Sequence, residues 1–360
     1  MLALTAILAA LVALATALPF LPLAHGVARV GDFPRQQLLV LALALLAVSA
    51  FASDGGALWL AVQLAMAAVV AVQAVRILPF TPLWRRQTRR FDPEGEAGEP
   101  LRLVSSNVKM GNTRQGELGA ELGRADADIL ILMEVDAAWA AALSGLLGRY
   151  PHVVDRAQDN SYGMIVASKF ELRDVSVACL LTDGVPSVIA TVVTPAGRSF
   201  RLYAIHPEPP VPHETTAGRD GETALVALQV RDETLPVVVC GDLNDVAWSD
   251  TTRRFRHISG LLDPRIGRRI FSTFDARYPL VMRWPLDHLF HSAYFRLVAM
   301  RRLEAWGSDH FPVLFDLALC AGEKADSRPA PPTADELERA ADLVRRAAAR
   351  KDKPIGSDWE

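Results

Sequence analysis

Cysteine is scarce in this chain of 360 residues: Cys179, Cys240 and Cys320 stand far apart, are odd in number and form no CxxC spacing. That excludes a disulfide framework and a thiolate zinc site and leaves reduced core residues. A basic excess is also missing. The formal net charge is -3, so the chain as a whole lacks the footprint of a protein that tracks duplex DNA. Charge of either sign is nearly absent from the first 80 residues, where only Arg29, Asp32, Arg35, Asp54 and Arg76 carry it.

What replaces charge there is aliphatic. Leu2 to Leu23, Leu38 to Ala52 and Ala57 to Val75 are apolar apart from Thr5, Thr16, Ser49, Gln63 and Gln73. A bilayer core takes about 20 such residues per helix, so three spans are expected, the second of them short. The competing readings are a cleaved signal peptide for the first segment and a buried or re-entrant helix for the second. Ala15-Thr16-Ala17 resembles a cleavage site, but no basic stretch precedes it. Arg29 and Arg35, then Arg85, Arg86, Arg89 and Arg90, fall on one side of a three-span arrangement. An excess of arginine marks the cytoplasmic side. The expectation is a multi-pass protein of the cell (inner) membrane, with a lipid bilayer as partner and a cytoplasmic soluble part.

The membrane region spans 1–84 and a basic, then Pro/Gly-containing linker spans 85–100. A soluble domain is expected over 101–320, and 321–360 reads as a Pro-rich linker and a solvated helical tail started by a Thr333/Glu336 capping box. Inside the domain, LRLVSSN, DILILMEV, GMIVAS, SVIATVV, SFRLYAIH, LPVVVCG, PLDHLF and FPVLFDLAL have the length and flanking turns of strands, and TPAGR reads as a hairpin turn. Helical spacing recurs over Gln115 to Arg124, Ala137 to Leu147 and Glu222 to Asp232. The fold class is α/β.

Polar side chains sit where these strands stop: Asn107, Glu134, His206, Asp242, Asn244, Asp287, His288, Asp309 and His310. One such residue is ordinarily a turn or cap, but ligand sites in α/β sheets gather side chains from several strand ends. Oxygen donors suit a hard divalent ion such as Mg²⁺, with Mn²⁺ the alternative. Histidines beside acids add an acid, a base and a polar clamp, a set suited to phosphate-ester hydrolysis.

SSNVKMGN, ILMEVD, AIHPEP, CGDLND, PLDHLF and GSDHFPV follow one another in the order found in the endonuclease/exonuclease/phosphatase superfamily, which the chain resembles from Leu101 to about Leu319. The resemblance implies two mixed β-sheets packed as a sandwich with outer helices. It implies Asn107 and Glu134 as metal ligands with Asp309 a third, Asp242 on the attacking water and Asn244 on a phosphate oxygen. His206 would donate to the phosphate or leaving oxygen, and Asp287 would pair with His310. Met133 departs from the glutamine many members carry beside the metal carboxylate.

The function expected is a membrane-anchored, Mg²⁺-dependent phosphoesterase acting on a phosphodiester of nucleic acid, phospholipid or a small molecule. The alternatives are a phosphomonoesterase and an inactive membrane scaffold of the same fold. Arginines crowd the stretch from Arg253 to Arg283, and Arg265, Arg268 and Arg269 are the expected substrate-binding residues, since guanidinium forks suit phosphate.

Overall fold

The structure, a computed structural model, describes residues 2–21, 23–51 and 55–357. Pro22, Ala52, Ser53 and Asp54, which belong to the expected spans and turn, lie outside the described residues. Runs of Ala, Leu and Val build α1 (Leu2–Ala17), the short α2 (Gly26–Val30), α3 (Arg35–Phe51) and α4 (Ala57–Ile77). The three long helices pack through residues such as Ala9, Val12, Ala42, Leu45, Met66 and Val69. Leu11, Val40, Leu60 and Val75 point outward. Polar side chains turn inward instead: Gln73 donates to Thr16 at 2.9 Å and accepts from Arg35 at 3.0 Å. Two helices, Leu2–Phe20 and Ala57–Phe80, are long and apolar enough to cross a membrane, and Arg35–Phe51 is shorter.

The remainder forms β1 (Gly98–Asn107), β2 (Ile129–Met133), β3 (His152–Arg156), β4 (Met164–Ser168), β5 (Glu171–Cys179), β6 (Pro186–Val193), β7 (Ser199–Ala204), β8 (Val237–Asp242), β9 (Asp287–His291), β10 (Phe295–Arg302) and β11 (Val313–Cys320). Outside them lie α5 (Gln115–Ala125), α6 (Ala137–Ala142), α7 (Ser144–Leu147), α8 (Ala217–Arg231), α9 (Asp250–Ser259) and α10 (Ala334–Ala348). One sheet has six strands in the order β10-β11-β1-β2-β4-β3 and the other has five in the order β5-β6-β7-β8-β9. Both are mixed. β1 runs parallel to β2 and β7 parallel to β8, while the other pairs are antiparallel. Leu103, Ile131 and Val166 of one inner face meet Leu202, Val238 and Cys240 of the other, which is the two-sheet sandwich with outer helices. Every strand expected from sequence is present, including the β6–β7 hairpin. The strands not foreseen, β3, β5 and β10, expose much of their length.

Two expected boundaries are corrected. The tail helix is solvated on one face only: α10 packs on α8 with Ala340 and Ala347 buried, and Arg350 just beyond it pairs with buried Glu208. The helical region is not a separate body joined by a free linker. Phe80 packs with Val246, Trp248, Ile266 and Leu286 in one cluster, Arg29 reaches Asp220 at 3.3 Å and Arg76 reaches Asp250 at 2.7 Å. The ends of α1 and α4 and the start of α3 therefore all meet the sandwich on the same side.

Candidate active site

Strand direction explains why the polar residues converge. Asn107 ends β1, Glu134 follows β2, His206 follows β7 and Asp242 ends β8. β9 and β11 run antiparallel to β8 and β1, so their first residues lie at the same edge, and Asp287 pairs in register with Asp242. All the chemistry is thereby delivered to one end of the sandwich. Gly241 makes the last turn of β8 feasible, because its φ of +151° suits glycine and a Cβ there would stand 1.9 Å from the Ile205 carbonyl oxygen. Glu134 and Asn244 adopt left-handed φ angles of 60° and 51°, the kind of local strain that collects at functional sites.

Asn107 Nδ2 donates to Glu134 Oε1 at 2.7 Å and to Asp242 Oδ2 at 3.2 Å. Two carboxylates opposite each other, Asp242 and Asp287, would repel, and His310 lies between them. Its Nδ1 donates to Asp287 Oδ2 at 2.9 Å, and its Nε2 is 3.4 Å from Asp242 Oδ2. Burial works against a charge on His310, but Asp287 and Asp242 outweigh it and raise its pKa to about 10. It is an imidazolium at neutral pH. His206 is the opposite case: burial depresses its pKa despite Asp242, whose Oδ2 is 3.9 Å from His206 Nε2. Its Nδ1 is buried without a partner among the described residues. Asn244 is held by a 2.9 Å bond from its Nδ2 to the Pro207 carbonyl and by its own N–H on Asp242.

Glu134 shows how well the site suits a cation. Burial pushes its carboxyl pKa up, against the pull of Asn107 and His310, and among the described residues its hydrogen bonds come from the Asn107 amide and the Met110 N–H. A half-buried carboxylate with neutral partners calls for a positive charge; the Asn107 oxygen accepts from the Lys109 N–H at 3.0 Å, and a turn of that amide would give an all-oxygen donor set. Asp242, Asp287 and His310 also bring ligand atoms within 4.8 Å of one another. Both nitrogens of His310 already face carboxylates, so that trio reads as a proton relay. Asp309 turns to Lys109, 2.9 Å away, with Arg277 at 3.7 Å.

Several contributors had little sequence signal. Ser308 accepts from the His310 N–H and donates to the Asn107 carbonyl, which ties β1 to the histidine loop. Phe274 covers the His310 ring at 4.8 Å, and Met133 places its sulfur 3.2 Å from the Asp242 N–H. Lys109, two residues beyond Asn107 in SSNVKMGN, was legible as a candidate from its motif alone.

The expected substrate arginines are corrected. Arg265 is 1% exposed, pairs with Asp263, and donates to His288 Nδ1 at 2.7 Å and to the Asp287 carbonyl at 3.3 Å. It supports β9 from behind, and His288, whose Nε2 lies 2.8 Å from the Asp245 carbonyl, belongs to the same brace. Arg268 donates to the Thr88 and Pro264 carbonyls. Arg269 is exposed but donates to the Met300 carbonyl and lies over Phe271. The arginine-rich stretch is thus dispersed. Arg254 and Arg256 line a cavity of about 670 Å³ between the end of α1, α9 and α10 that includes none of the strand-end residues. The strand-end site is marked instead by the convergence of polar side chains.

With this architecture in view, the chain matches the Endonuclease/Exonuclease/phosphatase family over residues 104–310, more than half its length, and it belongs to that family. No curated protein matches its sequence. Among solved structures it is similar to D. rerio TDP2 complexed with single strand DNA product, at 19% identity and TM-score 0.50, covering 61% of this chain and 99% of that one. The endonuclease/exonuclease/phosphatase from Bacteroides vulgatus gives the same four values. The human Nocturnin catalytic domain with bound sulfate anion is similar at 15% identity and TM-score 0.49, covering 62% of this chain and 95% of that one. The first two likenesses show the fold.

Proposed function

We propose that the protein is a membrane-anchored, divalent-metal-dependent phosphodiesterase, with Mg²⁺ the resident ion and Mn²⁺ an effective substitute. The observation that carries this reading is the His310 imidazolium held between Asp242 and Asp287, beside the cation-deficient Asn107–Glu134 pair. Asn107 and Glu134 would hold the metal, with Asp309 as a third ligand, and the bound ion supplies Lewis-acid charge to a phosphoryl oxygen. Asp242 orients and deprotonates the attacking water. The protonated His310 offsets the charge gathering on the phosphate, and Asp287 fixes its tautomer. Asn244 keeps one amide N–H free of Pro207 for a non-bridging oxygen. Neutral His206 donates to the phosphate or the leaving oxygen.

The helical region is read as a multi-pass anchor in the cell (inner) membrane, with the sandwich in the cytoplasm. What supports this is that α1, α3 and α4 meet the sandwich at one end and that Arg85, Arg86, Arg89 and Arg90 are exposed just past α4. A nucleic-acid phosphodiester is the competing substrate, since D. rerio TDP2 holds a single-strand DNA product.

The test is hydrolysis of bis(p-nitrophenyl) phosphate by the full chain in detergent. Activity should require Mg²⁺ or Mn²⁺, and Asp242→Asn or His310→Ala should each lower kcat by about 10²–10⁴ with the far-UV circular dichroism spectrum of wild type. Full turnover in chelator, or in either variant, would overturn the reading.

A further inference from the structure

The loop between Asp275 and Trp284 is out of character for a soluble rim. Tyr278, Leu280, Val281 and Met282 are consecutive but for Pro279, and they are 48%, 61%, 69% and 46% exposed. Nothing in the sandwich covers them. Their position relative to the apolar helices is set by two contacts. Gln37, in the first turn of α3, donates its side-chain N–H to the Val281 carbonyl at 2.6 Å. Phe33, just before α3, packs edge-on against Trp284 with ring centroids 6.0 Å apart. The loop tip therefore stands level with the point where α3 begins. At the domain end of α4, Leu83 and Trp84 are likewise exposed, at 84% and 43%. Exposed aliphatic side chains with Trp and Tyr at one level are the composition of a membrane–water interface.

The other end of the same loop is the active site. The Ala276 N–H donates to the Asp309 carbonyl at 2.7 Å, and Arg277 lies 3.7 Å from the Asp309 carboxylate. Phe274 contacts both Trp284, at 6.4 Å, and His310, at 4.8 Å. An unbroken row of rings, Phe33–Trp284–Phe274–His310, thus joins the start of α3 to the catalytic imidazolium. Arg277, paired with Asp275 but half exposed, and Arg283, which donates to the Tyr278 and Ala276 carbonyls, flank the apolar tip, placed as cations are where an apolar segment meets anionic headgroups.

From this geometry we infer that the Tyr278–Met282 loop is seated in the lipid bilayer and that the site takes a phosphodiester carried by a membrane lipid. The inference rests on the phosphodiesterase reading for its chemistry and on the loop for its substrate. The phosphate of a glycerophospholipid lies just outside the apolar layer, where the loop places Arg277, Lys109 and the strand-end residues. Water adds its oxygen to phosphorus and loses a proton to Asp242. The bond from phosphorus to one ester oxygen breaks, that oxygen is protonated, and a phosphomonoester and an alcohol result.

The experiment uses the full chain in nanodiscs of phosphatidylcholine and phosphatidylglycerol. A spin label at Val281→Cys, in a Cys179→Ser background that removes the one exposed cysteine, should be more accessible to oxygen than to a water-soluble nickel chelate. Leu280→Ser/Val281→Ser/Met282→Ser should lower kcat/KM on the nanodisc phospholipid about ten-fold, leaving bis(p-nitrophenyl) phosphate hydrolysis within about two-fold. A label preferring the nickel chelate overturns the loop's place in the bilayer. Spin–spin broadening at Val281 would show a second copy of the chain covering the loop and overturn it too. Wild type that cleaves single-stranded DNA but no phospholipid overturns the substrate. Depth is read without turnover, so a lipid-seated loop on an inactive chain would instead count against the phosphodiesterase reading.

Discussion

At the junction of the helices with the sandwich, Arg29, Arg35 and Arg219 meet Asp32, Asp220 and Asp245. Three residues along the chain from Asp245, among the strand ends, Asp242 joins Glu134 and Asp287 about a single imidazolium, His310. Both clusters are largely buried, with Glu134 half-buried, and both are built from acids and bases on distant elements. In the first, charges match one for one, so the low dielectric strengthens each pair and the cluster acts as a clamp. In the second, with all three acids ionised, two negative charges are left over, a mismatch that a divalent cation removes. The same burial therefore produces a structural joint in one place and a reactive site in the other. The difference lies in charge balance.

The sharpest way to break this comparison is to remove one acid from each cluster. Asp220→Ala leaves Arg29 and Arg219 buried with an unpaired charge and should cost about 3–5 kcal/mol, read from denaturant or thermal melts of the full chain in detergent. Glu134→Gln, made without metal, should cost nothing or stabilise, because it relieves excess negative charge. Equal losses from the two variants would erase the distinction.

Metal addition sharpens the contrast from the other side. At a Mg²⁺ or Mn²⁺ concentration 100 times its dissociation constant, wild type should gain about 2.7 kcal/mol of stability. Glu134→Gln should gain far less, and Asp220→Ala should gain as much as wild type. A metal-induced rise in Tm that survives Glu134→Gln would place the ion elsewhere.

The smallest effect concerns a third buried acid, outside both clusters. Glu222 on α8 accepts from Ser187 at 2.9 Å, and burial raises its pKa from 4.5 to about 7, with nearby Glu208 adding to the rise. Its protonated form fits the fold, so its contribution is complete below the unfolded pKa of 4.5 and is lost as pH rises through about 7. Glu222→Gln should therefore match wild type near pH 4.5 and exceed it at pH 8.5 by about 1–2 kcal/mol, less than the full shift because the amide must also be buried. Identical melting curves at pH 8.5 would show that the carboxyl ionises without penalty.

Much of this was legible in one dimension. The uncharged apolar runs specify helices because every turn of them is apolar, and the short Val/Ile/Leu runs specify buried strands. CGDLND, PLDHLF and GSDHFPV mark strand ends because acids there have no neighbouring partner in the chain. The tail helix held more signal than was used: Leu337, Ala340, Val344 and Ala347 recur at three- and four-residue spacing, an apolar stripe that packs on the sandwich. The arginine-rich stretch misled for a physical reason. A count of guanidinium groups carries no information on which are neutralised, and Arg265 is neutralised by Asp263, two residues away, behind the site it was expected to line.

By itself the sequence determined which segments are apolar helices, which are strands, and which residue types could perform phosphate chemistry, since these follow from local composition and periodicity. Only the tertiary structure decided that Asp242 and Asp287 face each other across His310, that Arg265 braces where Arg277 borders the site, and that an apolar loop between two catalytic motifs ends level with α3. Those outcomes depend on strand direction and register, which bring residues distant in the chain within a few ångströms and set how their charges balance.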